Sequence, residues 1–383
     1  MSIASFFSKK RPRDNVTDNA PPLVVLRKPR TLCAWNANSL LNRITKDGKE
    51  LASFLTNNEE GEAPDVIFVS EVRMPAAGLP SSSSRAASTR RRGELAKNTP
   101  TQSREATEIT TFFRKYNYRP YWSLADNKYA GTALLVRRDV TPPISIRYLL
   151  NMDAPPSTHH VEGRVILATF EDFDLLGTYV PNNGVTEVSF DRRREWDSEI
   201  ETFLRARQRM LSTMVSSSST PPTTTITTTA TTTMKPLVWL GEMNVAATYD
   251  DVGPSPDWFR NKNGQDAINI NDRGQPGFTI NEQNRFKNLL EIGNLVDVYR
   301  LIHPTPNWSI DATWRGAPGV DIPNTGRYYD KGMRIDYILV SQELLVAHRV
   351  MKANLYGKGG VLRDGFLGSD HCPLLLTIEP VII

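Results

Sequence analysis

Several short apolar runs in this chain end in a polar side chain, and this repeated pattern limits the folds that the chain can adopt. Continuous apolar runs of this kind are typical of strands that are buried on both faces. Helical stretches separate the runs, which favours an α/β fold of packed sheets with its functional residues on the loops at the strand ends. The runs are Arg30–Asn36, Asp65–Glu71, Phe173–Asn183 and Pro236–Asn244.

The segment Gly368–Pro373 places an acid and an imidazole directly before the apolar run Leu374–Ile378. A tight Gly-Ser turn at the mouth of a buried strand can hold a base steady against a substrate. In the alternative interpretation, Asp370 only caps a turn and His371 only satisfies it. The polar strand ends upstream favour the functional interpretation, with His371 at its centre.

Polar residues at the ends of successive strands also suit a metal ion and a phosphate group. Asn36 and Glu71 supply an amide and a carboxylate, which are the ligand types that a hard cation such as Mg²⁺ prefers. The phenol of Tyr179 and the amide of Asn182 suit phosphate oxygens. For each of these residues the alternative is a polar side chain that merely terminates its strand, and their number favours a site.

Length and composition bound the class of protein. The chain has 383 residues with 39% hydrophobic content, enough for a sizeable core, and we expect one domain over residues 30–383. Two cysteines cannot build a disulfide framework and no apolar leader precedes the first strand, so a reducing intracellular compartment is expected. No stretch approaches the roughly 20 apolar residues of a membrane span. The net charge of +4 permits a nucleic-acid partner without arguing for one.

Residues 1–29 carry prolines among charges and are predicted to form a disordered tail. Within it, Ile3, Phe6 and Phe7 resemble the hydrophobic plug of a peptide that binds a sliding clamp, and a chance aromatic pair is the alternative. The basic segment Lys9–Arg13 is typical of a nuclear import signal or a phosphate-contacting arm, with a solvated tail as the alternative. The tail therefore predicts a nuclear protein that binds a sliding clamp.

Two segments are predicted to be low-complexity insertions into the domain. Residues from about 75 to 107 are rich in serine and arginine, and residues 213–234 are mostly serine, threonine and proline. Neither segment has the apolar periodicity of a core element, so we expect both to leave the core intact.

Six short motifs, in this order along the chain, resemble the endonuclease/exonuclease/phosphatase superfamily. Two more, Glu162–Val165 and Pro276–Thr279, are similar to the exonuclease III branch of its apurinic/apyrimidinic (AP) endonucleases. The resemblance implies a DNase I-like fold, a four-layered α/β sandwich of two packed mixed β-sheets flanked by helices, with the site at one edge between the sheets. The six motifs are Trp35–Asn36, Val69–Glu71, Tyr179–Asn182, Gly241–Asn244, Arg334–Tyr337 and Gly368–His371.

The resemblance also implies roles for individual residues. Asp336 would orient His371 and stabilise its protonated form, and Tyr179 would stabilise developing charge. Which of His371 and Glu242 takes the proton of the attacking water stays open. The catalytic residues would be Tyr179, Glu242, Asn244, Asp336 and His371. The metal site would be formed by Asn36, Glu71, Glu242, Asn244, Asp370 and His371. Phosphate and DNA would contact Asn182, Trp314 and Met333.

Two residues depart from the superfamily pattern. Glu242 stands where relatives have aspartate, and its extra methylene moves the carboxylate outward by about 1 Å, a shift that can cost about 10²-fold in rate. No neighbour in sequence compensates for it, so Glu242→Asp is expected to speed cleavage. Met333 stands where many members have tryptophan, and as a soft side chain it can fill the sugar pocket instead.

The resemblance implies a Mg²⁺-dependent phosphodiesterase of base excision repair, with Mn²⁺ as the alternative ion. It would act as a monomer on double-stranded DNA, incise 5′ to abasic sites and trim blocked 3′ ends. A 3′–5′ exonuclease or a 5′-tyrosyl-DNA phosphodiesterase is the alternative within the superfamily, and the run Pro276–Thr279 favours the exonuclease III branch. A non-catalytic DNA-binding or scaffold protein is the alternative from another class, but it would have no need of the acids and the histidine together.

Overall fold

The polar-ended apolar runs form central strands of two six-stranded sheets. The computed structural model describes residues 26–56, 63–74, 100–125, 128–155, 158, 160–217, 234–261, 264–316, 331–356 and 366–381. The strands are β1 Thr31–Asn36, β2 Val66–Ser70, β3 Tyr118–Ser123, β4 Thr132–Arg137, β5 Ser145–Arg147, β6 Val165–Thr169, β7 Asp174–Tyr179, β8 Leu237–Glu242, β9 Val252–Gly253, β10 Leu295–Asp297, β11 Gly332–Met333, β12 Asp336–Ser341, β13 His348–Leu355 and β14 Leu374–Pro380.

Helices connect these strands and cover the outer faces of the sheets. Those that the structure describes are α1 Leu40–Lys46, α2 Gly48–Phe54, α3 Pro100–Lys115, α4 Glu187–Ser217, α5 Pro256–Asn261, α6 Ile280–Gly293, α7 Val298–Ile302, α8 Trp308–Asp311 and α9 Gln342–Ala347. Among the described helices, none combines the length and the apolar character that a membrane crossing requires.

Both large sheets are mixed. The first has the order β13-β14-β1-β2-β4-β3, in which only the β1–β2 pair is parallel. The second has the order β10-β12-β8-β7-β6-β5, in which only the β7–β8 pair is parallel. The parallel pair at the centre of each sheet brings two polar strand ends to the same edge, which is the edge that carries the site.

Alternation along the central strands sends side chains into separate cores. In β1, Leu32 and Ala34 enter the core between the sheets, whereas Cys33 and Trp35 pack under α1, α2 and α3. In β8, Leu240 enters the shared core, whereas Trp239 packs against α4 and α6. Helices, sheet, sheet and helices therefore form four layers, and the predicted four-layered α/β sandwich is confirmed.

The two sheets approach closely directly beneath the strand ends. Phe68 of the first sheet lies against Gly177 and Gly241 of the second, and a Cβ at Gly177 would overlap the Phe68 ring. Gly241 also has a φ of 130°, which strains any residue with a side chain. These glycines bring the residue that follows, Glu242, within reach of the opposite sheet.

The described helices correct three boundaries predicted from sequence. Residues 100–107 were expected to end an insertion but begin α3, and their Ala106 is fully buried. Helix α4 continues to Ser217, past the predicted start of the second insertion at residue 213. The apolar pattern predicts a helix over Asn281–Leu290 with Gly293 just past its end as the stop. In the structure Gly293 is the last residue of α6, and Asn294 adopts the left-handed cap at φ 48°. Asparagine tolerates this conformation, so it replaces glycine as the stop.

Candidate active site

Strand register in the second sheet lines up three of the predicted catalytic residues. Glu242 ends β8 and pairs with Tyr179 of β7 on one side and with Asp336 of β12 on the other. The three residues are far apart in sequence but lie side by side across the sheet edge. All three are buried, and Asp336 is fully so.

The first sheet supplies an amide and a carboxylate to the same place. Asn36 ends β1, and Glu71 follows β2 with a φ of 49° that turns the chain at the strand end. Asn36 Nδ2 donates to Glu71 Oε1 at 3.1 Å and to Glu242 Oε2 at 2.6 Å. The hydroxyl of Tyr179 donates to Glu71 Oε1 at 2.9 Å. These bonds join the two sheets through side chains that were all predicted to belong to the site.

The longer acid at position 242 has a partner in the structure. Its Oε2 accepts the 2.6 Å hydrogen bond from Asn36, and the side chain is only 4% exposed. Asn36 is thus a partner for the longer side chain that the sequence neighbours of Glu242 do not supply. The sequence around Glu242 gave no sign of this hydrogen-bond partner, because Asn36 lies 206 positions away from Glu242 in the chain.

His371 and Asp336 form a hydrogen-bonded pair, with 2.8 Å between Nδ1 of the ring and Oδ2 of the carboxylate. Burial acts to lower the pKa of His371, but the charges of Asp336 and Glu242 outweigh it and raise the pKa to about 10. The ring is therefore held as an imidazolium. With Nδ1 engaged, Nε2 remains for contact with a substrate.

A buried threonine connects the two segments that carry this pair. Thr313 Oγ1 accepts from the amides of Ile335 at 3.0 Å and Asp336 at 3.1 Å. Its carbonyl oxygen accepts from the amide of Cys372 at 2.8 Å. One residue thus bonds to the start of β12 and to the residue after His371.

The acids of the site differ in their ionisation. For Glu71, the Arg73 guanidinium and the Asn36 amide outweigh burial and lower the pKa, so Glu71 is ionised. For Glu242, burial and the charges of Asp336 and Glu71 outweigh the opposing charge of His371 and raise the pKa to about 8. Burial, with the charges of Glu242 and Glu71, raises the pKa of Tyr179 well above its ordinary value, so the phenol keeps its proton.

The donors gathered here fit a divalent metal ion. The carboxylate oxygens of Glu242 and Asp336 and a ring nitrogen of His371 lie within 4.8 Å of one another, and all three residues are buried. While the His371 ring is an imidazolium, the two carboxylates are the metal donors of this group. Among the described atoms, Asp336 Oδ1 is buried without a hydrogen-bond partner. A cation beside Glu242 would also relieve the repulsion between carboxylates that raises its pKa. The carboxylate of Glu71 and the amide oxygen of Asn36 add further donors to this group. Carboxylate and amide oxygens are the donor types that a hard cation prefers.

Two residues predicted as metal ligands lie in other hydrogen-bonded groups. Both carboxylate oxygens of Asp370 are engaged, Oδ1 by Asn38 Nδ2 at 2.9 Å and Oδ2 by Trp314 Nε1 at 3.2 Å. Asn244 instead pairs with Asn182, whose Nδ2 donates to Asn244 Oδ1 at 3.2 Å. The structure therefore brings together Asn36, Glu71, Tyr179, Glu242, Asp336 and His371. Asp370 joins this group through Asn38, whose backbone amide donates to Asn36 Oδ1 at 2.8 Å, whereas the asparagine pair bonds within its own loops.

The predicted DNA contacts differ in exposure. Trp314 is half-buried and its main chain pairs with Met333. Met333 is only 2% exposed and packs with Phe278 and Ile335 in a small hydrophobic cluster, so its side chain is not presented to solvent. Ile3, Phe6 and Phe7, the predicted clamp-binding residues, lie outside the described residues.

Sequence reasoning missed several residues that support this site. Arg73 bonds to Glu71 through the guanidinium. Arg164 belongs to a motif that was recognised, but its stacking 4.5 Å under the Tyr179 ring was not. Arg193 lies in the charged run Asp191–Glu195, which predicts an exposed helix face. In the structure this arginine is only 2% exposed. Long-range contacts hold these cations in position, and the local sequence pattern does not encode such contacts.

The chain matches the sequence profile of the Endonuclease/Exonuclease/phosphatase family over residues 33–371. It is similar to a protein named DNA-(apurinic or apyrimidinic site) endonuclease from Arabidopsis thaliana, with 38% identity over 359 residues that cover 92% of this chain and 85% of that protein. A protein of the same name from Plasmodium falciparum (isolate 3D7) is 33% identical over 378 residues. That match covers 91% of this chain but 55% of the longer relative.

Solved structures share the architecture. A crystal structure of an AP endonuclease from Leishmania major superposes with a TM-score of 0.60 at 18% identity, covering 93% of this chain and 89% of that one. A 3′ phosphatase from Neisseria, bound to a product DNA hairpin, superposes with a TM-score of 0.57 at 19% identity, covering 91% of this chain and 99% of that one. At these identities the likeness shows the fold.

Proposed function

Because the chain belongs to the endonuclease/exonuclease/phosphatase family, we propose that it is a DNA repair nuclease that incises the backbone 5′ to abasic sites and trims blocked 3′ ends. It is a hydrolase of phosphodiester bonds. The observation that carries the proposal is the set of hydrogen bonds that joins Asp336 to His371 and Asn36 to both Glu71 and Glu242. The relatives named as AP endonucleases support the choice of substrate.

The pair of His371 and Asp336 acts on the scissile phosphate. The imidazolium presents an N–H donor and a positive charge, and the Asp336 carboxylate fixes the ring by its 2.8 Å bond to Nδ1. The phenol of Tyr179 keeps its proton and donates a second hydrogen bond as charge develops on the phosphate. Both groups are held by buried contacts and need little reorganisation.

Glu242 is the group that exchanges a proton near neutral pH. Its pKa of about 8 places it close to the working range of a general acid or base. Its Oε2 is oriented by Asn36 at 2.6 Å. A bound cation would favour the ionised form of Glu242, and we assign to that form the proton of the attacking water, because His371 is held as an imidazolium.

A divalent ion, for which we propose Mg²⁺ with Mn²⁺ as a substitute, would be held by Glu71, with Asn36, Glu242 and Asp336 as further oxygen donors. When bound, such an ion polarises the phosphate and neutralises charge in an in-line displacement. Asn182 and Asn244 bond to each other in the loops that follow β7 and β8, and they offer amide donors to phosphate oxygens. Each part of a hydrolytic site thus has a residue assigned to it.

We propose three further properties, which concern a binding partner, the location in the cell and the oligomeric state. The segment with Ile3, Phe6 and Phe7 binds a sliding clamp, because its aliphatic and aromatic spacing fits an apolar pocket. The basic segment Lys9–Arg13 directs the protein to the nucleus. The protein acts as a monomer.

An incision assay tests the function. Pure protein is incubated with a duplex that carries one abasic analogue, in Mg²⁺ and in EDTA. We expect one cut on the 5′ side in Mg²⁺ and none in EDTA. Stepwise shortening from the 3′ end of an intact duplex, without incision, would instead make the protein an exonuclease, and binding without cleavage in either buffer would make it a scaffold.

A further inference from the structure

Arg193 of helix α4 is a buried cation that reaches the loops following two strands of the active-site edge. It is 2% exposed, although the side chains of its neighbours Arg192 and Arg194 are 48% and 38% exposed. A guanidinium offers five N–H donors in a planar fork, and burying one is costly unless its donors and charge are matched. The partners of Arg193 therefore indicate what the residue is for.

Three of these partners are main-chain carbonyls of the asparagine loops. Nη1 of Arg193 donates to the carbonyls of Pro181 and Asn244, each at 3.2 Å, and Nη2 donates to the carbonyl of Met243 at 3.2 Å. Pro181 directly precedes Asn182, and Met243 directly precedes Asn244. One side chain thus binds both loops at the residues next to their amide donors.

The hydrogen bonds of the two amide side chains depend on the distance between these loops. Asn182 Nδ2 donates to Asn244 Oδ1 at 3.2 Å, and Asn244 Nδ2 donates to the Val180 carbonyl at 2.9 Å. Asn244 has a φ of 50°, in the left-handed region that asparagine tolerates, and the chain bends there after β8. The carbonyl that Arg193 binds belongs to this residue of the bend.

Arg193 is itself held from two sides. Its Nε donates to both carboxylate oxygens of Asp197 at 3.0 and 3.2 Å. Its Nη1 lies 3.5 Å from Glu282, whose carboxylate accepts the amide of Gly277 at 3.1 and 3.0 Å. Gly277 in turn accepts from the amide of Ala246 at 2.7 Å. The turn at Gly277 is therefore a third loop in the same network.

We propose that Arg193 is a positioning residue that fixes Asn182 and Asn244 relative to each other, so that the two amides meet the phosphate of the substrate together. This inference rests on the proposed function and extends it to a residue that touches no substrate. Lysine at this position keeps the charge, but its three donors sit on one nitrogen, so it cannot reproduce the planar fork that bonds the three carbonyls and Asp197 together. A displacement of about 1 Å in such a site can cost about 10²-fold in rate.

The test compares Arg193→Lys with Arg285→Lys. Arg285 donates to the same Asp197 carboxylate, at 2.7 Å from Oδ2, and serves as a matched control for the loss of an arginine from this helix pair. Both variants are assayed for incision of a duplex with one abasic analogue after thermal melting has shown them folded. We expect kcat/KM to fall about tenfold or more for Arg193→Lys and by less than about twofold for Arg285→Lys.

A double-mutant cycle separates positioning from general destabilisation. If Arg193 acts through the asparagines, the loss caused by Arg193→Lys should be at least about threefold smaller in an Asn182→Ala background. Equal losses in both backgrounds, or equal losses for the two lysine variants, would overturn the inference. Should Arg193→Lys melt below the assay temperature, Glu282→Gln takes its place in the cycle, with the same expectation and the same contrary result. Failure of the natural protein to cut the duplex would refute the proposed function instead.

Discussion

The imidazole of His371 and the carboxylate of Asp336 lie 2.8 Å apart, Nδ1 to Oδ2, although 35 residues separate them in sequence. Asp336 begins a strand of one sheet, and His371 precedes a strand of the other. The pair therefore exists only when the two sheets are packed. The geometry of the pair therefore depends on the interface between the two sheets, which also buries the central core.

Removal of the imidazole should abolish incision without loss of DNA binding. We expect His371→Ala and Glu71→Ala each to lower single-turnover incision by about 10²-fold or more, because the first removes the imidazolium proposed to act on the phosphate and the second removes the main proposed metal ligand. Phosphate contacts elsewhere supply affinity, so the gel shift with an abasic duplex in EDTA should persist. His303→Ala, which changes a histidine outside the site, is the control. Near-normal incision by either site variant, or loss of its fold in a thermal melt, would contradict the assignment.

Shortening Glu242 should now slow the enzyme rather than speed it. The Asn36 amide reaches Glu242 Oε2 at 2.6 Å, and Glu242→Asp withdraws the carboxylate by about 1 Å from that donor. We expect a fall of about tenfold or more in single-turnover rate at saturating Mg²⁺. Glu242→Gln keeps the length and removes the charge, which separates reach from ionisation. A faster Glu242→Asp would restore the view that the extra methylene weakens the site.

The buried acid Asp251 should make stability depend on acid pH. Arg334 and Arg300 outweigh burial and lower the pKa of Asp251 below its ordinary value of 3.8. A lowered pKa contributes stability above 3.8 that is lost as the pH falls through the folded value. We expect Asp251→Asn to cost about 3 kcal/mol at pH 7, because it removes charged hydrogen bonds to Arg334 and Arg300 and leaves each with one carboxylate partner, Asp297 and Asp311.

The measurement for Asp251 is denaturant unfolding at pH 7 and at successively lower pH. The difference between the natural protein and Asp251→Asn should narrow as the pH falls below about 4. Asp250→Asn changes the exposed neighbour and should have little effect at either end of the range. A difference that stays constant with pH would show that the ionised carboxylate does not provide the stability.

One prediction concerns the N-terminal residues 1–10 and follows from the sequence alone. A peptide of residues 1–10 should capture a sliding clamp, because Ile3 and the two aromatics present an apolar plug. The same peptide with Phe6→Ala and Phe7→Ala should capture about tenfold less or none, since buried aromatic anchors carry most of such binding. Equal capture by both peptides in a pull-down would count against a clamp-binding role.

Motifs at strand ends were readable because local sequence determines them. A buried strand needs a continuous apolar run, and the polar residue that ends it stands out, which is how Asn36, Glu71, Tyr179 and Glu242 were found. His371 was found directly before such a run. The strand β13 was not found, since only four of its eight residues are apolar and it takes its place by pairing along β14. Such edge strands are defined by their partner more than by their own pattern.

The sequence by itself determined which side chains stand at strand ends, their chemical types and the α/β class, because these follow from short-range apolar patterning. Only the tertiary structure decided that Asn36 reaches Glu242, that Asp370 bonds to Asn38 and Trp314, and that Arg193 lies buried beneath the asparagine loops. Those contacts join residues of different sheets and layers. Their distances depend on how the layers pack, and packing is a property of the whole chain that no local stretch of sequence contains.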